Sequence, residues 1–446
     1  MRLSQIKKIL NAELFGKDID IEGVSTDTRT LTQGNLFVAL KGENFDGHDF
    51  IPQALEKGAT ALLVDQKNRI PPGVSALLVS DSLDALAKLA SFHRKQFQIP
   101  CIGITGSCGK TTVKGMVGDI LSLGGPTLVT KGNLNNHIGL PLTLLKLNAE
   151  HKAMVIEMGA SALLEIAFLG KIAKPTIALI NNAHPAHIEG FGSLDGVVKA
   201  KGEIYEALDE DGIAILNIES PHASFWKKLI GERKTITYGF NTKAMIRAED
   251  FDLEPLHSSF RVVTQTYQGM IHVSLPGEHN VMNALAAIAC VYPLHTPLAI
   301  IQEALKNFKG AQGRMIHHSL KGGIELIDDT YNSNPKAIEE ALKVLTKLPG
   351  EKLLILGDMA ELGANSPRLH KEAGELVKQY GIQRLWAVGP LGQNTIQGFG
   401  EKGRWFSNKA DLLAELVSLN SPMTILIKGS RSAKMESLVQ SLCQKG

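Results

Sequence analysis

The stretch CIGITGSCGKTTVKGM, residues 101–116, decides the fold. Cys101 to Thr105 form an apolar run of the length of a buried strand. A turn of small residues follows, Gly106-Ser107-Cys108-Gly109, and Lys110-Thr111-Thr112 then open a helix. Strand, glycine-rich turn and helix in that order make a phosphate-binding loop. The glycines let backbone N–H groups face an anion, and the helix N-terminus adds partial positive charge. In such a loop Lys110 reaches the terminal phosphates and Thr111 ligands Mg2+. The match to G-x-x-x-x-G-K-[ST] is incomplete, because Ile104 stands where the first glycine belongs. Gly-Lys-Thr-Thr in its strand–turn–helix setting still supports an NTP site over a solvated lysine in an ordinary turn. Cys108 reads as a small loop residue and not as a reactive thiol.

Further apolar runs surround this one: MVIEM (154–158), TIALINN (176–182) and IAILN (213–217), separated by helix-like stretches. They predict a mainly parallel sheet covered on both faces. From 243 to 276 the pattern changes to period-2 alternation, predicting antiparallel hairpins at an edge, and helices are expected at about 280–292 and 297–307. Upstream, LFVAL (36–40) and ATALLV (59–64) read as strands and 82–97 as an amphipathic helix. Beyond KGAQGR (309–314), the runs IELID (324–328), KLLILGD (352–358), RLWAVG (384–389) and MTILIKG (423–429) again alternate with helical stretches. The chain therefore reads as α/β in three domains, 1–98, 99–312 and 313–446. Its 446 residues, at about 150 per domain, suggest the same number.

Composition narrows the classes of function. Lys plus Arg total 47 and Asp plus Glu 45, a net charge of +2, which offers no global field for nucleic acid and no acidic tail. With 44% hydrophobic and 21% charged residues, the chain is ordinary for a globular protein and wrong for a disordered one. No apolar run approaches the ~18–20 residues that span a bilayer, so no membrane insertion is expected. The N-terminus lacks the long apolar region of a signal peptide, and Cys101, Cys108, Cys290 and Cys443 form no disulfide or metal pattern. The expected location is the cytoplasm.

Two further groups carry chemistry. Glu157 ends an apolar run and so sits at the carboxyl edge of the sheet, where ligands of open parallel sheets collect. NNAHPAHIEGFGS (181–193) follows another strand to the same edge, and its pattern leaves His184 and His187 open between metal ligands and loop histidines. The helix SLDGVVKAKGEIYEAL (193–208) carries Lys199 and Lys201, and pattern alone singles out neither.

Together these segments resemble the Mur ligase family. TGSCGKTT, GNLNNHIGLPLTLL (132–145), EMGAS (157–161), NNAHPAHIEGFGS and AKGEI (200–204) are similar to its central domain. GEHNVMNALAA (277–287), Gly313-Arg314, DDTYNSNP (328–335), LGDMAELG (356–363) and KGSR (428–431) continue the series in order. STDTR (25–29), LFVAL and DGHDFI (46–51) resemble its N-terminal uridine-nucleotide domain, so the likeness spans essentially the whole chain. Two departures stand out: Cys108 in the loop, and CVYPLHTP (290–297), which lacks the glycine expected between two helices.

The resemblance implies a mixed α/β uridine-nucleotide domain, a central P-loop ATPase domain and a Rossmann-like C-terminal lid. It implies ATP-dependent amide-bond formation through an acyl phosphate, with ATP and two Mg2+ ions, in a monomer of the peptidoglycan precursor pathway. DDTYNSNP and LGDMAELGANSPRLH resemble the branch that joins D-alanyl-D-alanine to UDP-N-acetylmuramoyl-tripeptide. Carried over by position, Gly106, Ser107, Cys108, Gly109, Lys110, Thr111 and Thr112 bind ATP phosphates, with Asn283, Arg314 and Asp329 as further nucleotide positions. Thr111, Glu157, His187 and Lys201, the last once carbamylated, hold metal, and Lys110, Glu157, His187 and Lys201 form the catalytic set. Ser25, Thr26, Asp27, Thr28 and Arg29, with Asp46, Gly47 and His48, line the UDP-sugar end, and Asn334 meets substrate. Hinges are expected at Ile99-Pro100 and Gly310–Gly313.

Overall fold

The structure, a computed structural model, describes residues 1–42, 45–185, 188–254, 256–310, 313–419 and 421–445. Among these residues the strands form three sheets. The first runs, in spatial order, Glu13–Phe15, Ala76–Leu78, Ala61–Val64, Asn35–Val38 and Gly23–Ser25, antiparallel in its first pair and parallel thereafter. Only Asn35–Val38 and Ala61–Val64, the two strands of four residues, stood out in the sequence. The other three span three residues each, too few for a period to register.

The central sheet is built around Cys101–Thr105, which lies between Ala153–Glu157 and Ile177–Ile180 and parallel to both. Thr127–Val129 continues it on one side; Ile213–Asn217, Lys234–Gly239 and Ile246–Leu253 continue it on the other, all parallel. Antiparallel Ser258–Val263 and Gln268–Val273 close that edge, as the period-2 pattern predicted. The strands are buried on both sides, which is why they read as continuous apolar runs. One apolar core joins them to the helices Lys110–Ser122, Glu278–Val291 and Leu298–Asn307, and a second to Glu165–Ala173, Leu194–Glu206 and Ala223–Ile230.

The third sheet orders Ile316–Leu320, Ile324–Asp329, Met423–Lys428, Glu351–Gly357, Arg384–Val388 and Gly403–Phe406. It is parallel except for its first pair, an edge strand not anticipated from the sequence. The missing glycine in CVYPLHTP also has an answer. A short 3-10 turn, Tyr292–Leu294, ends on His295 with φ 55°, the left-handed conformation that a glycine would take at no steric cost.

The helix Leu194–Glu206 is fixed at several points. Ser193 caps it, its Oγ accepting from the Gly196 N–H at 3.1 Å. Glu203 accepts from the N–H groups of Leu164 (2.8 Å) and Ala167 (3.0 Å), capping the neighbouring helix. The buried Tyr205 hydroxyl donates to Ile215 O at 2.6 Å, and Trp226 Nε1 donates to Val198 O at 3.1 Å. Trp226 is fully buried against this helix. Trp226→Ala is expected to cost about 3–5 kcal/mol through the cavity and the lost hydrogen bond, read as a fall in the thermal unfolding midpoint of the central domain.

Candidate active site

Between the central and C-terminal sheets lies a cleft of about 2220 Å³. Its floor is the phosphate loop. Gly106 and Gly109 take φ of 152° and 77°, and at Gly109 a Cβ would meet Asn181 Nδ2 at 2.4 Å and Asn283 Oδ1 at 2.7 Å. The loop is braced from two neighbouring elements. Asn182 Oδ1 accepts from the Cys108 N–H (2.8 Å), and the side-chain amides of Asn181 and Asn182 donate to Cys108 O (3.0 and 3.1 Å). Asn181 also donates to Asn283 Oδ1 at 3.0 Å, so Asn283 reaches the loop through another asparagine. Ser107 is tied to the backbone of His184, its Oγ donating to His184 O at 2.9 Å.

Thr111 begins the helix, and its hydroxyl donates to Glu157 Oε2 at 3.1 Å. Glu157 ends its strand with only 1% exposure and is held from every side. Asn135 donates to Oε1 at 2.8 Å, and the Lys114 ammonium lies 3.0 Å from Oε2. Burial pushes the Glu157 carboxyl up, but the Lys114 and Lys110 ammoniums and these hydrogen bonds outweigh it and keep it below the ordinary glutamate range. Lys110 folds back to donate to Gly106 O. Its ammonium is pulled below the usual lysine value by burial, with nearby Arg314 acting in the same sense.

Lys201 is 3% exposed and its ammonium lies 5.7 Å from the centroid of the Phe191 ring. Burial, then the Lys110 charge, brings it down to about 7, so near neutrality much of it is a free amine. His187 lies outside the described residues. His184 lines the cleft and is held below the ordinary histidine value, first by burial and then by the Lys336 charge.

The C-terminal half closes over this floor. Arg314 lays its guanidinium 4.2 Å from the Tyr331 ring centroid and extends Nη2 to 3.5 Å from Thr111 Oγ1. Asn334 caps the helix Pro335–Leu345 through its Oδ1 and turns Nδ2 to Cys108 Sγ at 3.7 Å. Asp329 accepts from Lys428 Nζ at 2.5 Å, and Lys428 also donates to Asn332 O at 2.9 Å. Among the predicted positions, Lys110, Glu157, Lys201, Asn283, Arg314, Asp329 and Asn334 thus share one cleft.

The N-terminal positions do not line it. Ser25 to Arg29 form a turn tied internally, with Asp27 gripping the Arg29 guanidinium at 2.7 Å and Ser25 Oγ donating to Asp27 O at 3.0 Å. Gly47 packs so tightly that a Cβ would sit 2.6 Å from Leu40 N. The His48 ring is wholly enclosed, 2.6 Å from Asp46 Oδ1 and 3.3 Å from Asp65 Oδ1, and so faces no open space. Lys114, Asn135, Asn181, Asn182 and Lys428 were not singled out from the sequence. Lys114 could have been, since three residues past Thr111 and four past Lys110 put it on the same helix face.

A phosphate loop on the carboxyl edge of a parallel sheet, met across a cleft by a second α/β body, defines a multidomain P-loop enzyme of the ligase type. Family models match along the chain: the Mur ligase family catalytic domain at 20–94, the Mur ligase middle domain at 104–291 and the Mur ligase glutamate ligase domain at 313–431. The chain belongs to the Mur ligase family. It is 43% identical to the UDP-N-acetylmuramoyl-tripeptide–D-alanyl-D-alanine ligase of Escherichia coli K12, an alignment covering 100% of this chain and 98% of that protein. The ligase of the same name from Bacillus subtilis is 37% identical, covering 95% and 93%. Among solved structures, MurF from Acinetobacter baumannii superposes with a TM-score of 0.91 at 34% identity, covering 99% of this chain and 98% of that one. MurF from Thermotoga maritima in complex with ADP gives 0.82 at 27% identity, covering 95% and 99%.

The packing at Gly109 yields a direct test. Gly109→Ala combines a left-handed φ with a clash against Asn181 and Asn283, a strain of about 1–3 kcal/mol. It is expected to weaken ADP binding by roughly ten- to a hundredfold, measured by calorimetry, while the circular dichroism spectrum is unchanged.

Proposed function

We infer that this protein joins D-alanyl-D-alanine to UDP-N-acetylmuramoyl-tripeptide in an ATP-driven reaction, giving UDP-N-acetylmuramoyl-pentapeptide, ADP and phosphate. The observation that carries the reading is the cleft: Thr111 of the phosphate loop is met by Arg314 from the opposite domain, in a chain that aligns end to end with ligases named for that reaction. The three domains divide the work as a UDP-sugar holder, an ATPase core and a dipeptide-binding lid.

A carboxylate is a poor acylating agent. In the reaction its oxygen attacks the terminal phosphorus of ATP, ADP leaves, and an acyl phosphate remains. The amine of the dipeptide then adds to the acyl carbon, and the tetrahedral intermediate collapses to the amide as phosphate departs. Lys110, half-buried and aimed along the loop, meets the charge on the phosphoryl group in flight. Arg314 comes to the same phosphates from the lid, fixed in direction by its stacking on Tyr331. The lid also keeps water from the acyl phosphate, which water would otherwise hydrolyse.

The oxygen donors fit Mg2+. Thr111 Oγ1 and Glu157 Oε2 lie side by side, hard ligands of the kind Mg2+ takes when phosphates complete its shell. Among the described residues no group of three or more His, Cys, Asp or Glu is arranged to hold a metal. When bound, Mg2+ neutralises phosphate charge. A second ion would be held by Lys201 as its carbamate, together with His187. Carbamate formation needs the free amine, which attacks CO2 with loss of one proton, and burial supplies that amine. No helix of the described residues is long and apolar enough to cross a membrane, and one chain lines the whole cleft. The reading is completed by a monomer acting on soluble precursors in the cytoplasm.

Phosphate release from ATP, Mg2+ and UDP-N-acetylmuramoyl-tripeptide should require D-alanyl-D-alanine; release that ignores the dipeptide would overturn the substrate assignment. Lys110→Ala is expected to lower turnover about a hundredfold or more with the fold retained. For Lys201 the neutral fraction grows as pH rises through about 7. Uptake of 13C-bicarbonate, seen as a carbamate resonance, should therefore increase between about pH 6 and about pH 8. It should vanish in Lys201→Ala, whose activity short carboxylic acids should partly restore.

A further inference from the structure

Lys114 belongs to none of the roles assigned so far, yet it is the cation nearest the proposed metal position. It lies on the helix Lys110–Ser122, buried to 5% exposure, one turn beyond the loop lysine. Its ammonium sits 3.0 Å from Glu157 Oε2, the same oxygen that accepts from the Thr111 hydroxyl at 3.1 Å. A second hydrogen bond, 3.0 Å to Gly132 O, ties it to the segment that also supplies Asn135 to Glu157 Oε1.

A carboxylate buried this deeply is unfavourable without a compensating cation. A divalent ion between Thr111 and Glu157 would provide one, and Lys114 already occupies that role at the same oxygen. We propose that Lys114 is a positioning residue that holds the place of the divalent cation. It keeps Glu157 neutralised and aimed at Thr111 while no nucleotide is bound, and it suppresses binding of a bare metal ion. Its ammonium repels an incoming dication at short range. Only a cation that arrives with phosphate oxygens opposite Glu157 gains enough to share the carboxylate. Metal and nucleotide are thereby coupled, and by linkage each strengthens the other's binding equally.

The proposal rests on the metal–nucleotide reading above, and one titration separates the two. Mn2+, which takes the same hard oxygen ligands as Mg2+, is titrated by electron paramagnetic resonance into the full-length protein with and without ADP. The wild type should bind Mn2+ weakly alone and much more tightly with ADP. Lys114→Met should bind Mn2+ alone about tenfold or more tighter than the wild type, with the strengthening by ADP reduced by the same factor. Lys114→Gln, which keeps a donor without the charge, should do the same and serves if the methionine variant fails to fold. Lys114→Arg should behave as the wild type. Neutral variants that lose stability but bind bare Mn2+ no tighter than the wild type would reduce Lys114 to a packing role and overturn the proposal. A wild type that binds no Mn2+ even with ADP would overturn the metal–nucleotide reading and this proposal with it.

Discussion

The rest of the site depends on one constraint: a carboxylate, Glu157, is buried at the end of a central strand directly beneath a phosphate loop. Such a group is stable as an anion only when its surroundings supply hydrogen bonds and countercharge. The elements around it answer that demand. The loop helix brings Thr111 and Lys114, and the 132–139 segment brings Asn135 and the Gly132 carbonyl that steadies Lys114. The strand's own neighbour contributes Thr130, whose hydroxyl accepts from the Glu157 N–H at 3.0 Å. A well-fixed carboxylate needs no reorganisation when charge arrives, and electrostatic stabilisation of phosphoryl transfer draws on that readiness.

The same economy of charge links the domains. Arg314 follows the boundary segment and reaches back to the phosphate loop, while Asn334 on the next helix touches Cys108. Both contacts come from residues near the start of the C-terminal half. Gly310 and Gly313 both take positive φ, and at Gly313 a Cβ would sit 2.9 Å from Tyr331 N. At Gly313 the backbone thus takes a conformation that a side chain would obstruct. Cys108, a departure from the family pattern, is the partner that Asn334 finds in the loop.

Much of this was legible in the sequence, for a physical reason. The parallel strands are buried on both faces and so read as unbroken apolar runs; Cys101–Thr105, Ala153–Glu157 and Ile213–Asn217 fall where those runs predict. Short or half-exposed edges such as Glu13–Phe15 and Ile316–Leu320 carry too little pattern to register. In the site, residues marked by a motif or by their place at a strand end could be found. Residues that act by bracing could not. Asn181 and Asn182 matter because of the carbonyl of Cys108, 73 and 74 residues distant in the chain, and no spacing rule joins them. Lys428 is likewise defined by Asp329 and the Asn332 carbonyl, 99 and 96 residues away. His48 is the converse case, a residue set in a recognisable motif whose ring the fold encloses.

Net charge is where local and global arguments part. A chain at +2 carries no field to gather anionic substrates, and its cleft is lined by acidic and basic side chains alike; Lys110, Lys201 and Arg314 nevertheless stand together beside the phosphate loop. Burial first, and neighbouring cations after it, lower the values of Lys110 and Lys201, so both are held at a cost in charged form. Among the described residues, Glu157 is the carboxylate that offsets the loop lysine. The imbalance is relieved when a polyanion enters, so the binding energy of phosphate includes the removal of repulsion already present in the site. A surface rich in lysine would have attracted many anions weakly. A few partly desolvated cations set beside the phosphate loop reserve their attraction for a ligand that fits inside and excludes water, where each charge pair is strongest.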